Sequence, residues 1–354
     1  MKTAWIGGGL GFIGHHLARR LKQEGYWVRV VDIKPYEYGS TDFADDVVIG
    51  DLRDPKIVQS TLLLCDGQSW SYYEKPFAQY SNFDFVANLA CQMGGAQYVF
   101  TGENDANIMH DSALINLNVC NVLREQEFKG VVFYSSSACI YPEHIQAETD
   151  NKGLKEKDAI PAAPDSCYGW EKLFSERLYL AYARNYGLNV RVARFHNIYG
   201  PEGTYKGGRE KAPAAMCRKV IECKDPISIS SIHDEAFPKI EVFGDGQQTR
   251  SFLYIDDCID AVRLLMESDF KEPINIGSEE MVSINQLAQM AIDISGKQIA
   301  IKNIPSNALG VRGRNSDNTL IEKTLGWKPK YSLKEGLTRT YSWINQQING
   351  LHTK

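Results

Sequence analysis

Tyr168 and Lys172 stand four residues apart in Tyr168-Gly-Trp-Glu-Lys172, the spacing that puts two side chains on one face of a helix. An ammonium near a phenol favours the tyrosinate and brings its pKa toward a useful value. Such a pair takes a hydroxyl proton while a hydride leaves the same carbon. Upstream, Tyr134-Ser-Ser-Ser-Ala-Cys-Ile-Tyr-Pro142 brings Ser137 and the thiol of Cys139 to what reads as a strand end. Downstream, Gly203-Thr-Tyr-Lys-Gly-Gly-Arg-Glu-Lys211 offers the amine of Lys211, able to act opposite the thiol, with Lys206 as a nearby rival. A base on one face of a carbon and an acid on the other invert a centre made acidic by an adjacent carbonyl, so the set points to redox chemistry joined to carbon-acid chemistry. The competing roles are plainer: a small apolar filler for Cys139, and a phosphate ligand or helix cap for Lys211.

These groups need a frame. Gly8-Gly-Leu-Gly11-Phe12-Ile13-Gly14 follows an apolar run, Thr3–Ile6, and opens a stretch in which Ile13, Leu17 and Leu21 recur at helical spacing. Glycines let the turn close and let backbone approach a pyrophosphate, which the free N–H groups of a helix N-terminus attract. Asp32 ends the next run, Trp27–Val31, where its carboxylate meets ribose hydroxyls and repels a 2′-phosphate. The cofactor read from this is NAD rather than NADP, with Lys34 working against the discrimination. Asp51 and Leu52 follow a third run, Val47–Ile49; Asp51 suits either the adenine edge or a strand-end cap.

Phe83–Leu89, Val131–Tyr134 and Val190–Phe195 complete the strands of a parallel sheet covered on both faces. After Phe195 the pattern loosens through 200–211, and 222–240 reads as an irregular surface insertion. Asp256–Ser268 resumes a helix, Pro273–Ile276 a strand that rejoins the first sheet, and Ser283-Ile-Asn-Gln286 has capping-box spacing for a helix ending near Gly296. A last helix is expected over Leu333–Ile348. The division that follows is 1–196 with 252–277 for the dinucleotide and 197–251 with 278–354 for a smaller C-terminal substrate-binding lobe.

The chain of 354 residues carries a formal charge of −5, which gives no electrostatic reason to expect nucleic acid or an anionic membrane. No apolar run approaches the roughly 18 residues of a membrane span. The expectation is a cytosolic (cytoplasmic) enzyme. Its eight cysteines are scattered, with neither the dense framework of a secreted domain nor Cys-x-x-Cys or His-x-x-x-His spacing, so neither disulfides nor a metal are expected.

With these residues in place, the chain resembles the extended short-chain dehydrogenase/reductase family over nearly its full length. The resemblance implies a doubly wound α/β fold of the Rossmann type, NAD held tightly, a nucleotide-sugar substrate, a homodimer, and a tyrosine base supported by lysine. It places Ser137 at the reacting hydroxyl and Leu89-Ala90 along the cofactor. Met93-Gly94-Gly95, Ser136-Ser-Ala-Cys-Ile-Tyr-Pro-Glu143, Arg194-Phe-His-Asn-Ile-Tyr-Gly-Pro201, Gly207-Gly-Arg-Glu-Lys-Ala-Pro-Ala-Ala215, Gln248-Thr-Arg-Ser-Phe252 and Gly310-Val-Arg-Gly-Arg-Asn-Ser-Asp-Asn318 are similar to a branch of that family that inverts C3 and C5 of GDP-mannose.

Residue by residue, that similarity implies an acid/base pair at Cys139 and Lys211, and substrate contacts at Lys219 and Arg312. Arg250 and Arg312 have the geometry to grip a diphosphate bidentately. Gln248 lies in one of the matching stretches, and Asn197 follows a strand end, where a turn role competes with substrate binding. His196 reads as structural. Gln92 departs from the acidic residue of the branch, which bears on the sugar's hydroxyl contacts, and 65–82 and 222–240 are longer than its norm. A 4-epimerase with Cys139 as spectator and a non-catalytic NAD-binding protein are the rival functions. A 4,6-dehydratase fits less well, because no Asp-Glu pair occupies 138 and 139.

Overall fold

The computed structural model describes residues 1–63, 83–224, 237–307 and 309–350. Its centre is a parallel sheet of seven strands. In chain order the elements up to its sixth strand are β1 (Thr3–Gly7), α1 (Phe12–Gln23), β2 (Trp27–Asp32), β3 (Asp46–Ile49), α2 (Pro55–Thr61), β4 (Phe85–Asn88), α3 (Ala96–Val99), α4 (Asp105–Glu125), β5 (Val131–Ser137), α5 (Cys167–Tyr186) and β6 (Asn189–Phe195). Ile274–Ile276 supplies the seventh strand and pairs with β6 in the register Ile274↔Ala193. The order across the sheet is Ile274–Ile276, β6, β5, β4, β1, β2, β3. The winding therefore reverses between β1 and β4, and in open sheets of this kind ligands bind beyond the carboxyl ends of the strands at that reversal.

The strands read as near-continuous apolar runs because both faces are covered. Ala4 and Ile6 of β1 belong to one core layer with Leu17 and Leu21 of α1 and with Ile259, Val262 and Leu265 of the helix Ile255–Glu267. Trp5, pointing the other way, belongs to the layer of Val119 and Leu123 of α4 and Tyr179 of α5. Each fully buried Leu or Ile contributes on the order of 1.5–3 kcal/mol. The α5–β6 contact also holds a buried ion pair, Arg194 Nη2 to Glu176 Oε1 at 2.7 Å, with Ser136 Oγ donating to Glu176 Oε2 at 2.7 Å.

Outside this sheet, Thr249–Ser251 lies between Met281–Ser283 and Gly313–Arg314, and Lys239–Phe243 pairs with Ala300–Ile304. The helix Ala212–Glu222 packs on Ile284–Ser295 and Leu333–Asn349. Ser283 caps Ile284–Ser295 with the expected capping box, and Gly296 ends it at φ 68°. The segment 222–240 is regular at both ends, where Glu222 closes a helix and Lys239 opens a strand. Its residues 225–236 lie outside the described residues, as does 65–82. None of the seven described cysteines forms a disulfide. No helix among the described residues is long and apolar enough to cross a membrane.

Candidate active site

The glycine turn closes over β1 as its composition requires. Gly8 has φ +73°, and a β-carbon on it would stand 2.7 Å from the backbone nitrogen of Ala90; one on Gly14 would stand 2.2 Å from the carbonyl oxygen of Gly8. Backbone thus approaches backbone where β1 and β4 end, with Leu89 N–H donating to Gly7 O at 2.9 Å. Phe12 and Ile13 begin α1, whose first turn has no acidic residue and whose N-cap, Gly11, has no side chain to occupy the free N–H groups. Those groups suit an anion.

Asp32, buried at the end of β2, accepts from Leu10 N–H at 3.1 Å, and burial raises its carboxyl pKa against the pull of the N–H groups of Lys34, Leu10 and Ile33. Lys34 turns its ammonium to Glu37 instead. Asp51 accepts from Arg53 N–H at 2.9 Å and from its guanidinium at 2.6 Å; Leu52 beside it is buried. A cradle with no room for a β-carbon at Gly8 or Gly14, an open helix N-terminus and a carboxylate closing β2 fit a dinucleotide.

At the far end of β5, Ser137 caps a short 3-10 turn, its Oγ accepting from Cys139 N–H at 3.2 Å. α5 begins hard against that turn. A β-carbon on Gly169 would stand 2.2 Å from the carbonyl oxygen of Cys139, so the glycine after Tyr168 lets the phenol reach Ser137 and Cys139. Burial pushes the Tyr168 phenol well up, Cys91, Cys139 and Glu171 add to this, and its hydrogen bond with Ser137 opposes it. Lys172 Nζ donates to Ser135 O at 2.9 Å and lies 5.8 Å from the Tyr168 ring centre.

Cys139, Ser137 and Tyr168 line one side of a cavity of about 360 Å³. Met93, Gly94 and Gly95 line another, and a β-carbon on Gly95 would meet Glu210 O at 2.3 Å, which locks that turn against the segment leading to Lys211. Lys211, at the head of Ala212–Glu222, also lines the cavity; burial lowers its ammonium pKa, with the Cys139 thiol acting in the opposite sense. Lys206 is exposed, its Nζ resting over the ring of Tyr205. Five cations line the cavity (Lys211, Arg218, Lys219, Arg250 and Arg314) against one carboxylate, Glu210. Burial, with Arg314 next, pushes Arg250 down to about 9.

The remaining candidates divide. Asn197 lines the cavity and is also a turn residue, with φ 45° and its amide on Ser251 O at 3.0 Å. Gln248 lines it with Nε2 on Phe243 O, while its buried Oε1 has no partner among the described residues. Arg312 is not among the lining residues; it is bidentate to Asp245 and 40 % exposed. Arg314, two residues on and not singled out by the sequence reading, is buried at the cavity wall with Nη1 3.1 Å from Cys139 Sγ. Its signal was its presence in the same motif as Arg312.

Gln92 also lies off the wall, its amide linking Asp111 at 3.0 Å to the Tyr98 hydroxyl at 3.1 Å. His196 is buried on Asn275 at 3.0 Å, and burial drives its imidazole down to about 3. His15, His16 and Glu202 converge closely enough to hold a metal ion, but His15 bonds Glu202 at 2.9 Å and His16 bonds Pro201 O at 3.1 Å.

A glycine turn at the reversal of a doubly wound sheet, with Ser137 closing β5 and Tyr168 and Lys172 on α5, defines a dinucleotide-dependent enzyme of the extended short-chain dehydrogenase type. The chain belongs to the NAD dependent epimerase/dehydratase family, whose model matches residues 4–277. It is similar to GDP-mannose 3,5-epimerase of Arabidopsis thaliana, 45% identical over 349 residues that cover 98% of this chain and 83% of that protein. GDP-mannose 3,5-epimerase 1 of Oryza sativa subsp. japonica is also 45% identical, over 97% of this chain and 82% of its own length. In fold it is similar to the UDP-glucose 4-epimerase of Thermotoga maritima solved with UDP-glucose, with TM-score 0.79 and 24% identity over 98% of this chain and 99% of that one.

Proposed function

We propose that this chain is a nucleotide-sugar 3,5-epimerase that converts GDP-mannose to GDP-L-galactose, with GDP-L-gulose arising from inversion at C5 alone. The observation that carries this reading is that a thiol and an amine, Cys139 and Lys211, line the same cavity wall as Tyr168, with burial lowering the pKa of the amine. When bound, NAD supplies a hydride acceptor, and after reduction a hydride donor, at C4 of the sugar. Ser137 holds the C4 hydroxyl and Tyr168 takes its proton. The C4 ketone makes the hydrogens at C3 and C5 acidic, and Cys139 and Lys211 remove and return protons on opposite faces. Neither residue has work to do in a simple 4-epimerisation.

The excess of cations along the cavity suits a diphosphate; of these, Arg250 also bonds the carbonyls of Thr249, Leu309 and Val311, and Lys219 that of Glu241. The cavity lies between the sheet's carboxyl edge and the elements around Thr249–Ser251, which supports assigning 1–196 with 252–277 to NAD and the remainder to the sugar nucleotide. A homodimer would cover Met109 and Leu117 of α4 and Trp170 and Phe174 of α5, large apolar side chains at least 38% exposed. The test is product configuration: purified protein is given GDP-mannose or UDP-glucose and the sugar ring is read by proton NMR. A galacto-configured product from GDP-mannose supports the proposal; turnover of UDP-glucose alone would replace it with 4-epimerisation.

A further inference from the structure

Arg314 is held on three sides. Its Nε donates to Gln146 Oε1 at 2.6 Å, its Nη2 pairs with Asp165, and its Nη1 points at Cys139 Sγ from 3.1 Å. The side chains of Arg314 and Asp165 are only 5% and 2% exposed. A guanidinium offers donors only and keeps its charge at any working pH, so the sulfur facing it is an acceptor, and a thiolate accepts better than a thiol. Extending the proposed role of Cys139, we propose that Arg314 is a positioning residue that stabilises the Cys139 thiolate for proton transfer, with Asp165 setting how much of its charge the sulfur feels.

The groups around the sulfur fit this arrangement. Arg314 arrives from Gly313–Arg314, Asp165 from the segment before α5, Tyr168 from α5, Ser137 from β5, Lys211 from the head of Ala212–Glu222 and Arg250 from Thr249–Ser251. Burial raises the thiol pKa, Arg314 draws it down and Asp165 pushes it up. Arg314 and Asp165 therefore act on the sulfur with opposite signs although they form a single ion pair. A purely structural pair would not behave in that way, because loss of either member would loosen the site alike.

The experiment is the pH dependence of iodoacetamide alkylation of Cys139 in the NAD-loaded protein without sugar, read by mass spectrometry of the peptide that carries it. Arg314→Gln is expected to raise the midpoint by about one to two pH units, and Asp165→Asn to lower it. Arg314→Lys should recover part of the shift. Should Arg314→Gln fail to fold with Asp165 left unpaired, the double variant Arg314→Gln/Asp165→Asn removes both charges, and its midpoint is expected above that of the unmodified protein. Midpoints that stay in place, or that move the same way in Arg314→Gln and Asp165→Asn, overturn the proposal. No step of this assay needs turnover, so the epimerase reading and the Arg314–Cys139 coupling fail separately.

Discussion

The carbonyl oxygen of Cys139 occupies the space beside Gly169, 2.2 Å from where a β-carbon on that residue would lie. The obstacle is backbone, so no rotamer relieves it. Gly169→Ala must push the first turn of α5 away from the turn carrying the thiol and take Tyr168 with it. Overpacking of this kind costs about 1–3 kcal/mol, and a displacement of roughly 1 Å at a reacting group costs about 100-fold in rate. A urea titration and steady-state rates should therefore show modest destabilisation and a large fall in kcat; an unchanged kcat would contradict the account.

We propose that Asp32 discriminates between cofactors by charge. Lys34 is paired to Glu37, so its ammonium is engaged elsewhere than on a 2′-phosphate. Asp32→Ala should weaken NAD binding by about 10-fold, the worth of roughly one charge-assisted hydrogen bond, while NADP binding improves. Fluorescence titration with both reduced cofactors checks this, and an unaltered preference for NAD would assign the selectivity elsewhere.

Two lysines in one glycine-rich segment are separated by the structure. Lys211 lines the cavity and Lys206 is exposed. Lys211→Met should lower turnover by about 10²–10⁴-fold, whereas Lys206→Met should leave it within about twofold, since substitutions of solvated side chains change little. Equal losses in the two variants would contradict the placement.

The sheet was legible because strands buried on both faces leave apolar runs, as in Trp27–Asp32, and because Ser283-Ile-Asn-Gln286 advertises a helix start. The short strands Thr249–Ser251 and Gly313–Arg314 were not legible, since two or three residues carry no periodicity. For the same reason the choice between Arg312 and Arg314 was hidden. Residues two apart on an extended segment share a face, so alternation does not separate them; the partners do, Arg312 pairing with Asp245 and Arg314 with Asp165 and Gln146, all far away in sequence. The meeting of Gly95 with Glu210 and of Gly169 with Cys139 likewise requires the fold; sequence shows the glycines but not the backbone each one clears.

Glu202 carries a pH dependence of stability. Burial raises its carboxyl pKa, but His15 at 2.9 Å, Arg19 at 2.8 Å and the Tyr36 hydroxyl outweigh this and hold it well below 4.5. A carboxylate depressed in the folded state adds stability above its unfolded pKa of about 4.3, and that stability is lost as pH falls toward the folded value. Glu202→Gln should be less stable at pH 7 by about 1.5–3 kcal/mol and should lose less than the unmodified protein between about pH 5 and pH 3. Urea unfolding across that window checks it; parallel curves would remove Glu202 as the source.

The central claim is that Cys139 and Lys211 move protons at carbons beside a transient C4 ketone. Incubation with GDP-mannose in D₂O, read by NMR for deuterium at C3 and C5 of the sugar, tests it most directly. The account predicts label at both positions in the unmodified protein and none in Cys139→Ala, which should still bind NAD. Absence of label from the active protein, or undiminished labelling in Cys139→Ala, would contradict it.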